Sequence, residues 1–381
     1  MKTHVFIVNE KTLPVHLQYL FAGTGAYNQN RKIWLDEHIG LLSDISRARL
    51  GDLVIFHIEG TQKVKGGFYG IFQIAKVSSY PIVFHVHGQD SFRPNLSMKL
   101  IYRTLLRPYE VYSKGVPEWE TLDKLPVYAT DIQWSLIYRK LKGKRGCTPL
   151  LPLEAKRLIN MIKSKNNGNF IANEDYRDGF NWDNANRRII LTPTSQLYDL
   201  PFNQPVNPLP IICKEFFAKK RYEIYLQFYF THTIGVSTSL NPIVGHNVLW
   251  FGNEVACGVG MQRIDILVIN QLEKGEEYRI VELKDKPIKP DVVEQIEYYV
   301  NWASQNSGKH LDSAFAWNIQ PVVFAPKIEK KFKKNGEKTK QWQKIGSAFN
   351  KYNQKRISLP ILYFEFRVNC GGSLVFGQIK Y

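Results

Sequence analysis

Two aliphatic runs constrain this 381-residue chain more than any other stretch: Arg263-Ile264-Asp265-Ile266-Leu267-Val268-Ile269 and Tyr278-Arg279-Ile280-Val281-Glu282-Leu283-Lys284. Both are rich in β-branched and aliphatic residues, and Gln271 to Glu277 between them is polar with one glycine, so the pair predicts a hairpin with a longer loop. Side chains alternate along a strand, so Glu282 and Lys284 share one face while Val281 and Leu283 take the other. An antiparallel partner can then bring Asp265 alongside Glu282. Two carboxylates and an ammonium at the rim of an apolar sheet are costly to hold uncompensated, and a hard divalent cation with oxygen ligands compensates them. Mg²⁺ there, or Mn²⁺ as a substitute, polarises a phosphoryl oxygen and lowers the pKa of a bound water. The lysine orients the nucleophile or neutralises charge at phosphorus. In outline this is a hydrolytic phosphodiesterase site.

The next segment adds Gln295 and Tyr299 at i and i+4 on one helical face, with Trp302 one turn on. Upstream, Tyr222 to Phe230 reads as a helix carrying Glu223. The string R-I-D-x-L…V-E-L-K…Q-x-x-x-Y-x-x-W resembles the PD-(D/E)XK nucleases, in the branch of the RecB-type nuclease domains and, more closely, the NucS/EndoMS-type endonucleases. The resemblance covers roughly the last 170 residues, the length of one domain. It implies that Asp265 and Glu282 bind the metal, with the carbonyl of Leu283 completing the shell. It further implies that Lys284 serves the attacking water, that Gln295 and Tyr299 order the site or hold nucleic acid, and that Glu223 joins from its helix. Ile264 stands where the family's name has proline.

Charge points to the same class of partner. The chain has 51 basic and 34 acidic residues, a net +17, which favours a polyanion, nucleic acid first. The segment Lys327 to Arg356 holds 11 basic against 2 acidic residues, a net +9 that includes Lys330, Lys331, Lys333 and Lys334. It reads as phosphate contact or as a solvated loop. Arg139 to Arg145, with Lys142, is a second basic run, suited to phosphate contact or to a solvated turn. Cys147, Cys213, Cys257 and Cys370 are far apart, with no C-x-x-C pair, so neither zinc nor a disulfide framework is indicated, and reduced thiols of a cytoplasmic protein are expected. The opening MKTHVFIVNEK loses its apolar run after four residues, unlike a signal peptide, and no window reaches the length of a membrane span. Gly23 and Gly25 are not followed by the lysine of a P-loop, so no NTP-driven step is expected.

Residues 1–165 read as a β-rich domain of small-barrel pattern with helical insertions. Strands are expected at Val5–Val8, Leu50–His57, Gly67–Ile74 and Tyr80–His87. An amphipathic closing helix is expected over Leu150–Lys163, with Leu151, Leu153, Leu158, Ile159 and Ile162 on its apolar side. The order of an opening strand, G-D-x-V-x-F, a short loop and G-x-x-G-I-F-x-I resembles the EVE and YTH members of the PUA-like superfamily. That resemblance implies nucleic-acid binding with a modified base everted into an aromatic pocket, where a methyl group is read most fully. Trp34, Trp134, Tyr69, Trp119 and Phe92 are the candidate pocket rings; each also fits ordinary core packing.

Asn, Asp, Gly and Pro dominate 166–210, which reads as a linker, with the second domain over 211–381. The expected fold class is therefore α+β with two domains: a PUA-like β-barrel with helices, then a mixed-sheet α/β sandwich. Together they suggest a Mg²⁺-dependent DNA endonuclease directed by a modified base, of restriction type, acting on duplex DNA as a homodimer. Two readings stand beside it. One is a sequence-specific or NucS-like mismatch- or structure-specific endonuclease. The other is a non-catalytic reader of modified nucleic acid.

Overall fold

The structure, a computed structural model, describes residues 1–24, 36–62, 64–75, 83–85, 100, 102–123, 146–193, 203–205, 209–218, 221–257, 262–306, 318–327, 337–369 and 373–381. The chain divides into two compact units, Met1–Val206 and Asn207–Tyr381. Among the described residues no helix is long and apolar enough to cross a membrane.

In the first unit the strands are β1 (Thr3–Val8), β2 (Phe21–Thr24), β3 (Leu53–Ile58), β4 (Gly67–Ile74), β5 (Val83–His85), β6 (Tyr102–Pro108), β7 (Glu110–Val111), β8 (Val116–Pro117), β9 (Cys147–Pro149), β10 (Ala172–Asn173), β11 (Gly179–Asp183), β12 (Arg188–Thr192) and β13 (Asn203–Pro205). Its helices are α1 (Leu13–Tyr19), α2 (Asp36–Ile45), α3 (Glu118–Asp123) and α4 (Pro152–Lys165). The main sheet runs β13-β5-β6-β4-β3-β1-β9, with β2 on β6 and β8 on β4. Among the described residues this path curls as a half-barrel and does not close on itself. Continuous apolar runs make β3 and β4 buried along their whole length. Helix α4 starts at Pro152, whose missing N–H costs nothing in a first turn, and the Glu154 carboxylate accepts the Leu151 N–H (3.0 Å). Leu158 and Ile162 of α4 enter a core with Val5, Ile55, Phe68 and Ile71. Leu153, expected on that side, is exposed, because it falls in the first turn on the opposite face. Of the expected strand Tyr80–His87, the described part is β5.

The stretch read as a linker belongs to this unit as far as Val206. β10 pairs with β7, β13 pairs with β5, and β11 and β12 form a hairpin whose Phe180, Trp182 and Ile189 are buried. Asn and Gly mark its turns, as expected of such residues, but β10 and β13 find sheet partners far back in the chain.

The second unit opens with α5 (Leu209–Phe217), α6 (Glu223–Thr233) and the short α7 (Asn241–Val244). Then come β14 (Val248–Cys257), β15 (Gln262–Gln271), β16 (Glu276–Leu283), α8 (Val292–Asn306), β17 (Ile319–Pro326), α9 (Glu337–Gln354), β18 (Leu362–Val368) and β19 (Leu374–Ile379). The six strands form one sheet in chain order: β14-β15-β16 antiparallel, β16-β17-β18 parallel across α8 and α9, and β18-β19 antiparallel. The mixed α/β class holds. The basic segment is in part helical: α9 buries Ile345, Phe349 and Tyr352, an i, i+4, i+7 stripe inside the lysine-rich sequence.

Candidate functional site

The expected hairpin is β15 and β16, joined by Leu272 to Gly275, with Gly275 at φ +93° where only glycine is unstrained. Pairing of Ile266 with Val281 puts Asp265 next in line with Glu282. There the ladder gives way to a side chain: the Leu283 N–H donates to Asp265 Oδ2 (2.8 Å), while the Lys284 N–H donates to the Phe324 carbonyl of β17 (2.9 Å). Glu282-Leu283-Lys284 is thus clamped from both neighbouring strands. Glu282 and Asp265 are buried; Lys284 is half-buried, and its ammonium donates to Glu282 Oε1 and to Gln295 Oε1 (3.2 Å).

Helix α8 places Gln295 because its apolar positions Val292, Ile296, Tyr299, Val300 and Ala303 are buried as one stripe. Gln295 Nε2 donates to Tyr299 Oη (2.7 Å), and the Tyr299 hydroxyl donates to the Arg263 carbonyl (2.8 Å). With both sides of that hydroxyl occupied, Tyr299 orients Gln295 from within the core and does not present itself to a substrate. Trp302 is buried beside it.

Burial dominates the electrostatics. It raises the Asp265 pKa well above the carboxylate range, with Glu282 and Glu223 adding repulsion and the Leu283 N–H opposing. Glu282 is pushed up to about 7, again by burial first, with Lys284 pulling it down. The Glu223 carboxyl, at the first residue of α6, is raised by burial, against the pull of Lys284. Burial alone would lower the Lys284 pKa, yet Glu282, Asp265 and Glu223 outweigh it and hold the ammonium above its ordinary value. Glu223 therefore acts on the charges of Asp265 and Lys284, though no hydrogen bond ties it to the two central carboxylates.

Among the described residues no three His, Cys, Asp or Glu side chains stand together as a preformed metal-ligand group. The donor set is two carboxylates, with the Leu283 carbonyl the further ligand that the resemblance implies. One observation fits this set to a hard cation: Glu282 Oε2 is buried and receives no N–H or hydroxyl donor, with the Asp265 carboxyl as a neighbour of Glu282. Such an acceptor is expensive to leave unmet, and each Asp265 oxygen, with one donor apiece, keeps a lone pair available.

Three residues without an assigned role complete the site. Gln227 Nε2 donates to Asp265 Oδ1 (3.1 Å) and Glu254 Oε1 (2.7 Å), and Arg263 Nη1 donates to Glu254 Oε2 (3.0 Å). Gln227 stands four residues after Glu223 on α6, a spacing that could have marked it; nothing in the sequence marks Glu254.

The other candidates separate. Lys330, Lys331, Lys333, Lys334, Arg139, Lys142, Trp34, Trp134 and Phe92 lie outside the described residues. Tyr69 is a core ring of the first unit, edge-on to Trp182 at 4.8 Å, with its hydroxyl engaged by Arg187. A buried phenol needs a partner, and the hairpin supplies one. Trp119 stands exposed on α3.

No family model matches the chain, and no curated protein matches it. Solved structures to which it is similar include human THYN1 protein in complex with 5-methylcytosine-containing DNA, at 12% identity over 43% of this chain and 98% of that one, TM-score 0.28. A hypothetical protein from Leishmania major is 7% identical over 43% and 96%, TM-score 0.28. The DUF55 domain of human thymocyte nuclear protein 1 is 8% identical over 42% and 98%, TM-score 0.26.

Proposed function

We propose that this chain is a divalent-metal-dependent endonuclease of DNA, cutting with its second unit and selecting a modified base with its first. The observation that carries the reading is the buried pair Asp265 and Glu282, with Lys284 bonded to one Glu282 oxygen and no N–H or hydroxyl donor on the other. The order of elements supports it: a glutamate-bearing helix, then the hairpin with the acidic pair, then the Gln295 and Tyr299 helix, as the PD-(D/E)XK resemblance requires. Asp265 and Glu282 would hold Mg²⁺, which supplies charge for a phosphoryl oxygen and acidity for a bound water. Lys284, whose ammonium its acidic neighbours favour in the metal-free site, would position the water or answer charge gathering on the phosphate. Gln295 fixes the Lys284 ammonium, and Tyr299 fixes Gln295. The reading of a modified base rests on the EVE- and YTH-like order of strands in the first unit. Cutting both strands needs two such sites, hence a homodimer.

The test is Mg²⁺-dependent cleavage of matched duplexes, unmodified or carrying 5-methylcytosine, 5-hydroxymethylcytosine or N6-methyladenine, with Lys284→Ala as control. Cleavage of one modified duplex, lost in the variant, is expected. Equal cleavage of all duplexes would remove the modified-base reading. Tight binding without cleavage would leave a non-catalytic reader.

A further inference from the structure

The cross-strand row that contains the acidic pair has a third carboxylate. Asn253 pairs with Ile266 and Val255 pairs with Ile264, so Glu254 of β14 stands opposite Asp265 with no shift of register. Three successive strands thus offer Glu254, Asp265 and Glu282 in one line. At that point the β14 backbone turns left-handed: Glu254 has φ +49°, a conformation that costs any residue but glycine. A bulky acidic side chain held there against its own backbone preference is the kind of strain that persists where the surroundings require that side chain.

The surroundings are specific. Gln227, almost fully buried, donates from Nε2 to Glu254 Oε1 (2.7 Å) and to Asp265 Oδ1 (3.1 Å). A neutral amide with two hydrogens is thereby set between two acids. A glutamate there would add a charge, and an apolar side chain would leave both acids without that donor. Arg263 Nη1 holds the far oxygen of Glu254 (3.0 Å), and the carbonyl of the same Arg263 receives the Tyr299 hydroxyl (2.8 Å). Hydrogen bonds thus run from Lys284 through Gln295 and Tyr299 to the Arg263 backbone, and from the Arg263 side chain through Glu254 and Gln227 to Asp265.

We propose that Gln227 and Glu254 are positioning residues of this site: Gln227 fixes the Asp265 carboxylate in the orientation that receives a divalent cation together with Glu282, and Glu254, held by Arg263, fixes Gln227. The inference rests on the metal-site reading given above. Neither residue touches the cation or the reacting phosphate.

The experiment is Mn²⁺ binding to the full chain, followed by calorimetry and by the electron paramagnetic resonance of free Mn²⁺, beside thermal unfolding of the metal-free protein. Gln227→Met keeps length and removes the donors; its Mn²⁺ dissociation constant is expected to rise about 10- to 100-fold. Glu254→Gly relieves the left-handed backbone, so it is expected to unfold at a temperature no lower than wild type while binding Mn²⁺ several-fold more weakly. Affinities within twofold of wild type in both variants would overturn the inference and leave the metal site standing. An affinity loss that follows a loss of thermal stability in Glu254→Gly would overturn it too, assigning the pair to the core. No Mn²⁺ binding by the wild type would overturn the metal site, and this inference with it.

Discussion

Glu282→Gln should make the metal-free protein more tolerant of alkaline pH. A carboxyl whose folded pKa is raised contributes stability below its ordinary pKa and loses it as pH rises through the folded value. For Glu282 these bounds are 4.5 and about 7. At about 1.36 kcal/mol per pKa unit, the interval corresponds to about 3 kcal/mol, of which about 2 to 3 kcal/mol is lost between pH 5 and pH 8. Glutamine has no proton to lose, so the stability difference between variant and wild type should move in favour of the variant by that amount across the window. Titrating groups that do not interact with Glu282 cancel in the difference; Asp265 and Lys284, whose pKa values Glu282 itself raises, add their own change to it. The assay is urea unfolding in a chelator at pH 5 and pH 8, read on the transition of the second unit. A difference that stays flat from pH 5 to pH 8 would refute the reasoning, since it would mean that Glu282 ionises without cost in its buried place.

Mg²⁺ at about 100 times its Kd should return about 2.7 kcal/mol to the wild type at pH 8 and much less at pH 5, where protons compete for the same oxygens; thermal shift with and without metal measures it. Tyr299→Phe removes the hydroxyl between Gln295 and Arg263 and should lower cleavage about tenfold while leaving DNA affinity unchanged, seen as kcat falling at constant KM. Gly245→Ala should destabilise the second unit by about 1 to 3 kcal/mol in urea unfolding, because Gly245 has φ +92° and a Cβ there would lie 2.4 Å from the Asn270 amide nitrogen. Leu158→Ala should cost the first unit about 2 to 5 kcal/mol, as Leu158 is fully buried in its core.

The acidic pair was legible because strand alternation and a short hairpin fix its geometry locally. The Gln295 and Tyr299 face was legible for the same reason, one helical turn being a local rule. The strands after residue 166 were not: β10 and β13 are too short to carry a pattern, and their partners β7 and β5 lie far upstream. In β11 and β12 the turn Asn184 to Arg187 reads as loop composition, and only pairing turns its flanks into strands. Helix α9 did carry a pattern, Ile345, Phe349 and Tyr352, which the density of lysine obscured. The left-handed Glu254 is beyond any sequence rule, because side-chain type forbids what the neighbouring acids and amide impose.

The pairing of β1 also bears on how the chain is made. β1 lies between β3 and β9, and Phe6 of β1 meets Cys147 of β9. At a synthesis rate of roughly 5 to 20 residues per second, β1 waits on the order of ten to thirty seconds for its second neighbour. Through that interval β1 has an open edge of apolar residues that a chaperone or another nascent chain can occupy. The hairpin β15 and β16, closed by a four-residue loop, has no such delay, so the catalytic candidates can pair as soon as they emerge, while the first unit is completed only after β13 has followed.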